Sequence, residues 1–326
     1  MSPSIALLGD VMLGRGVAER IARGRPEDVW SAEVRELLRS CDLVLLNLEC
    51  CVSERGAATE RIPGKPFFFR APPAAVESLR AIGARAVGLA NNHALDYESP
   101  ALLDTLALLD AAGIARCGAG RDEPEARRPT IADAQGKQVG MVAVSDHPRE
   151  FAAAPGAPGT AHADLRRGVP DWLASEVERL RARCDRVVAF LHWGPNMTTE
   201  PAGWQLAAAE EMQRAGADLV AGHSAHVFHG VGWSERGPLL FDLGDALDDY
   251  AVDRALRNDL GVAAIWRPGE PEAELELVGL ELDFCHTRLA EGEAAEWIAR
   301  RLALACAPLG TRVERAAEQR FRVEPA

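Results

Sequence analysis

A chain of 326 residues, 48% apolar and 26% charged, can bury one large core or two smaller ones and has an ordinary globular composition. Its formal net charge of −13 argues against a general nucleic-acid or anionic-membrane binder, because long-range repulsion opposes both encounters. Seven cysteines without CxxC spacing, two of them the adjacent Cys50 and Cys51, point to small buried thiols in a reducing compartment.

The predicted elements begin with IALLGD (5–10). The N-terminus MSPSIALLGDVMLGR has no basic leader and its apolar run stops at Asp10, so it reads as a first strand and not as a signal peptide. No later run is long enough to span a bilayer, and the expectation is a cytoplasmic, unanchored protein. Further buried strands are expected at 42–49, 84–93, 138–146, 185–194, 217–226 and 237–245, each a short apolar run rich in branched residues. Between several of them lie helical patterns such as SAEVRELLRS, PPAAVESLRAIG, SPALLDTLALLDAAG, WLASEVERLRARC and GWQLAAAEEMQRAG. Pro or Ser near their starts and Gly near two of their ends fit helix boundaries.

This alternation predicts an α/β architecture with helices packed on sheet faces. GVAAIWRP and AELELVGLELDF follow with few helical signals between them and suggest an antiparallel portion, and EGEAAEWIARRLALACAPLG reads as a C-terminal helix. The expected organisation is a single domain over 1–326, with 146–170 a loop or lid and 287–326 a C-terminal helical extension.

The strongest signal lies at the strand ends, where an α/β sheet places its ligand crevice. They carry Asp10, Asn47 and Glu49, Asn92 and His93, His192, and then GHSAHVFHG (222–230) with His223, His226 and His229. Carboxylate, amide oxygen and neutral imidazole suit a divalent ion of hard or borderline character. Taken singly, Asp10 could cap a helix, Asn92 could stabilise a turn and His192 could be a satisfied core histidine; jointly those readings explain the pattern poorly.

The series GDVMLGR, NLE, KPFFFRAPP, LANNHALDY, HWG and AGADLVAGHSAHV resembles, in order over about residues 5–245, the CapA-like family of poly-γ-glutamate capsule biosynthesis proteins. That family has the calcineurin-like metallophosphoesterase fold, and the resemblance implies an αββα sandwich of two mixed sheets flanked by helices, with a metal site at the strand ends. It implies metal ligands at Asp10, Glu49, Asn92 and His192, an acid/base histidine at His93, and a functional role for His226. His223 joins the ligands if its loop shifts. Asp96 would orient His93, as a carboxylate orients an imidazole in a triad, or would simply be an acid near a helix start.

Departures from the family pattern bear on the reaction. Met12 stands where Asp-x-His has its histidine, Asn196 replaces an acid after HWG, and Ser224-Ala225-His226 replaces His-Pro-His. These changes predict one divalent ion (Ca, Mn or Zn) and argue against a second tightly held one. They leave His229, Asp242 and Asp245 as added proton carriers, with His226 or His229 expected to pair with Asp242 or Asp245.

Such a site resembles the peptide epimerases of lasso-peptide biosynthesis, a subgroup resembling this family that inverts a C-terminal Cα. The expected partner is the C-terminus of a precursor peptide, with no nucleic acid and no membrane. Arg15 and Arg70 could receive the substrate carboxylate bidentately or be ordinary ion-pair residues. Trp193, with Trp204 and Trp233, could line an aromatic-binding groove or pack in the core. The alternatives are a metallophosphoesterase or related hydrolase, and a non-catalytic binder of an acidic polymer or peptide.

Overall fold

The computed structural model describes residues 2–269 and 273–326. Strands Ile5–Val11, Leu43–Leu48, Ala84–Gly88 and Ala115–Cys117 pair in parallel, as expected for strands joined by helical crossovers. On the other side of Ile5–Val11 the sheet turns antiparallel through Leu260–Arg267 and Glu274–Leu282, the portion that lacked helical signals. The second sheet has six strands, with Lys137–Ser145, Arg186–His192, Leu219–His223 and Gly237–Leu240 parallel and an antiparallel strand at each edge.

Side-chain alternation builds the layers. Ile5, Leu7, Leu43 and Leu45 project from the first sheet into a core shared with Val139, Met141, Val188 and Phe190 of the second. Their neighbours Ala6, Leu8, Val44 and Leu46 face the opposite way, onto helices that include Ala32–Arg39 and Glu98–Ala111. On its outer face the second sheet packs Val187 and Ala189 against Asp171–Arg181 and Gly203–Ala215. The expected αββα sandwich is therefore present. Helix starts follow local chemistry: the Ser31 hydroxyl accepts from the Val34 N–H at 3.2 Å and begins Ala32–Arg39.

Two expectations about organisation need comment. The extension 287–326 is helical over Gly292–Cys306 and a 3₁₀ turn at Ala307–Leu309; Thr311–Ala317 and Arg320–Pro325 form a hairpin on the edge of the first sheet. Its period-two pattern buries Phe321 and Val323 in the inter-sheet core, a signal that the surrounding charges obscured. The stretch 146–170 holds 3₁₀ turns at Arg149–Phe151 and Leu165–Arg167; Phe151, Ala161 and Leu165 are buried and Gly159–Thr160 pairs with Ala119–Gly120, so it is built into the domain. Among the described residues no helix is long and apolar enough to cross a membrane, and all seven cysteines are free.

Candidate metal centre and acid/base site

The parallel strands of both sheets end at one crevice. Asp10 lies in register with Asn47 on one side and Asp245 on the other; in the second sheet His192 lies level with His223 and Ser145. Sheet pairing alone thus brings residues more than two hundred positions apart to a common edge. Asp10 is fully buried, and its carboxylate accepts from the Asn47 side-chain amide at 2.7 Å and the Ser224 backbone N–H at 3.0 Å.

Two donor groups meet at Asp10. One joins Asp10 with His192 and His223, whose Nδ1 atoms are 2.9 Å apart and whose His223 member sits 3.1 Å from Asp10 Oδ1. The other joins Asp10 with Glu49, His226 and Asp245. Glu49 Oε1, Asn92 Oδ1, His192 Nε2 and Asp245 Oδ2 are buried without a hydrogen-bond partner. A buried polar atom left unpaired costs about 1–3 kcal/mol, so several around one carboxylate call for a shared cation. Among the described residues no Lys or Arg pairs with Asp10, Glu49 or Asp245.

The electrostatics agree. Burial raises the Glu49 carboxyl well above its usual range, and the charge on Asp10 adds to the effect. Burial, then Asp248 and Asp10, does the same to Asp245. Burial also opposes ionisation of Asp10, but His223 and His192 beside it hold it well below the usual carboxylate range. Burial pushes His192 down to about 3, which keeps the imidazole neutral and able to ligate. The donors fit a divalent ion, and they form two groups where the eroded motifs argued for one.

Backbone shape explains how the loop after Leu219–His223 works despite its altered letters. Ser224 and His226 both have positive φ, 116° and 59°, in a loop where non-glycine residues adopt such values only when their surroundings enforce them. Ser224 occupies the expected ligand's place and serves Asp10 through its backbone N–H. The turn delivers His226 to Asp245, with Nδ1 2.9 Å from Oδ1.

The second His–carboxylate pair is tighter. His93 Nδ1 lies 2.5 Å from Asp96 Oδ2, which also accepts the Phe69 N–H at 2.6 Å, while Lys65 approaches Oδ1 at 3.2 Å. Burial pushes Asp96 up to about 7, against the pull of Lys65, and burial followed by Lys65 lowers His93. The pair is best treated as one unit that shares a proton. Phe69 stacks on His93 at 3.8 Å and on Tyr250 at 5.6 Å, and Tyr250 meets His226 edge-on at 5.2 Å. These rings form an arc from one imidazole to the other around a cavity of about 430 Å³ that Arg15, Asn92 and Met197 also line.

Four expected site residues lie elsewhere. His229 turns its Nε2 to the Thr198 carbonyl at 3.0 Å; only its backbone N–H meets Asp242, so the expected side-chain pairing is absent. Asp242 instead clamps its own loop, accepting the Ala225 and Gly244 N–H groups at 2.8 Å each. Arg70 stacks on Tyr97 at 4.1 Å and donates to the Arg55 and Gly56 carbonyls. Trp193 is fully buried and donates to the Phe241 carbonyl at 2.8 Å, which makes it a core residue. Arg15, by contrast, borders the cavity, ion-paired with Asp249 at 3.3 Å.

Sequence reasoning missed Tyr250, Lys65, Phe69 and Asn91. Tyr250 donates to Glu49 at 3.1 Å, and Asn91 donates to Asn47 and the Leu48 carbonyl while accepting the His93 N–H. Asn91 carried a signal, since it precedes Asn92 and His93 in NNHALDY; Tyr250 sits in a loop with no periodicity to mark it.

The family described as “Bacterial capsule synthesis protein PGA_cap” matches residues 4–250. The chain is 29% identical to a “Probable polyglutamine synthesis accessory protein” of Mycobacterium tuberculosis, over 99% of this chain and 96% of that one. It is 26% identical to “Capsule biosynthesis protein CapA” of Bacillus anthracis, over 77% of this chain and 61% of that one. Among solved structures, a hypothetical protein of Thermus thermophilus aligns with a TM-score of 0.46 at 16% identity, covering 87% of this chain and 96% of that one. A 5'-nucleotidase of Candida albicans aligns with a TM-score of 0.42 at 10% identity, covering 81% and 46%.

Proposed function

The chain belongs to the bacterial capsule synthesis protein family PGA_cap, and we propose that it is a metal-dependent peptide epimerase that inverts the Cα of a C-terminal residue. One observation carries this reading: His93–Asp96 and His226–Asp245 are two buried His–carboxylate pairs whose imidazoles border the same cavity. Inversion requires one group to take the Cα proton and another to return a proton from the opposite face. Each carboxylate holds its ring at Nδ1 and leaves Nε2 for that exchange.

When bound, a divalent ion would supply positive charge to stabilise the electron-rich carbonyl oxygen. Asp10 would hold it with His192 and His223, or with Glu49 and Asp245, with the unpaired Asn92 Oδ1 as a further oxygen donor, while Phe69 and Tyr250 stack along the cavity wall. Arg15 stands at the cavity edge, where it can receive a terminal carboxylate. A peptide-bonded substrate also suits a relative named for polyglutamine synthesis. The partner proposed is thus a peptide and not a nucleic acid or membrane, and the free thiols favour a cytoplasmic setting.

The test is incubation of a peptide panel in D₂O with the protein loaded with Ca²⁺, Mn²⁺ or Zn²⁺. Deuterium at the C-terminal Cα together with a D-residue in the hydrolysate is expected; if neither forms with any metal, the reading fails. The second reading, hydrolysis, draws on the two donor groups that share Asp10, an arrangement suited to two ions clamping one displacement. It predicts shortened peptide or released phosphate in the same incubations.

A further inference from the structure

Helix Gly292–Cys306 borders a cavity of about 610 Å³ whose other wall is the segment 199–206. Leu206, Trp297, Leu304 and Leu309 make its walls largely apolar, and Leu304 is 77% exposed. It shares no lining residue with the cavity between His93 and His226.

One cation faces this apolar space. The Arg301 guanidinium lies 5.5 Å from the centre of the Phe228 ring and 5.7 Å from that of Trp297, two rings that meet edge-on at 6.0 Å. Its Nη2 donates to the Thr199 and Phe228 carbonyls at 3.3 Å each, and its Nε is buried without a partner. Both carbonyls belong to other segments, so Arg301 does not cap the end of its own helix. Among the described residues no carboxylate lies within ion-pair distance of it, and burial pushes the guanidinium pKa down. Other half-buried arginines are matched: Arg116, Arg257 and Arg320 have carboxylates at 2.9, 2.8 and 2.8 Å. A half-buried cation without a counter-charge, set in an apolar hollow, is complementary to an anion that carries an apolar body.

We propose that this cavity is a binding site for a small amphipathic monocarboxylate, its carboxylate on Arg301 and its apolar body along Trp297, Leu304 and Leu309. The inference is independent of the epimerase reading, because it invokes neither the metal centre nor His93. Its volume falls within the range of about 300–1,000 Å³ usual for small-molecule sites. Glu200 at the exposed rim repels a second negative group, which favours one carboxylate over a dianion such as a phosphate monoester. Acetate is too small to cover the apolar wall, and an alkylamine brings the wrong charge to Arg301.

The test is calorimetric titration of the full chain with octanoate, with and without added Mn²⁺. Saturable binding at one site is expected in both conditions, and neither acetate nor octylamine at the same concentration should compete. Arg301→Gln should weaken octanoate binding about tenfold or more, through loss of the charge-assisted contact. Leu304→Glu changes an exposed residue, leaves the core intact, and should weaken binding about fivefold or more by placing a like charge in the cavity. Phe284→Glu adds the same charge at a 66% exposed residue outside the cavity and should change binding less than about twofold. Absence of saturable octanoate binding, equal effects of Leu304→Glu and Phe284→Glu, or binding that requires Mn²⁺ would each overturn the proposal. Loss of Cα exchange in His93→Ala with octanoate binding retained would separate this site from the reaction, whereas loss of both would also overturn it.

Discussion

The two donor groups that share Asp10 differ in what surrounds them. His192 and His223 are 1% exposed and lie side by side in the register of two neighbouring strands within the second sheet. His226, 8% exposed, sits on a strained loop and faces the cavity with His93. Residues held by a sheet ladder are fixed by its backbone hydrogen bonds and suit ligation; residues on loops at the cavity can also touch substrate. Asp10 is common to both roles, so it separates them least.

Substitution at that shared point should give the largest effect. Asp10→Ala is expected to remove bound metal at both groups, with affinity lowered by more than about 100-fold and turnover lost in parallel, read by elemental analysis and by Cα exchange. His93→Ala should lower turnover by about 10²–10⁴-fold while metal content stays at the parent level. If metal is lost as well, the division between holding and reacting residues breaks down.

A third experiment uses His229, which lies three positions beyond His226 and outside both groups. Burial, with Arg301 nearby, depresses its imidazole to about 4. The unfolded chain therefore binds a proton near pH 6.5 that the folded one refuses. Stability from this group is complete above pH 6.5 and declines as pH falls toward 4, by up to about 3 kcal/mol. Denaturant unfolding of His229→Gln should show a flatter decline over that window, with Cα exchange at pH 7.5 unchanged. The smallest effect is expected for Arg70→Gln, which removes the stacking on Tyr97 and two hydrogen bonds to carbonyls. It should lower stability by about 1 kcal/mol and leave KM within about twofold, as checked by urea unfolding and steady-state kinetics.

Much of this was legible in the chain itself. Short apolar strands alternating with helical stretches specify the layers, because period-two and period-3.6 burial are local properties. Asp10, Glu49, Asn92, His93, His192 and His226 stand out because each lies at the end of a strand or in the loop that follows it and so reaches the same sheet edge. The pair His93–Asp96 spans three residues and could be anticipated from NNHALD alone.

Other assignments required the tertiary structure. Whether His226 or His229 meets a carboxylate depends on two left-handed residues, Ser224 and His226, that no spacing rule foretells. Trp193 and Arg70 look equally suited to bind substrate until packing shows their polar atoms committed to Phe241, Arg55 and Gly56 carbonyls. Tyr250 joins Glu49 across 201 positions. Sequence determined which chemical groups the strand ends present, since strand burial is encoded locally; only tertiary structure decided which groups face one another, because partners are chosen by sheet register and loop geometry across the whole chain.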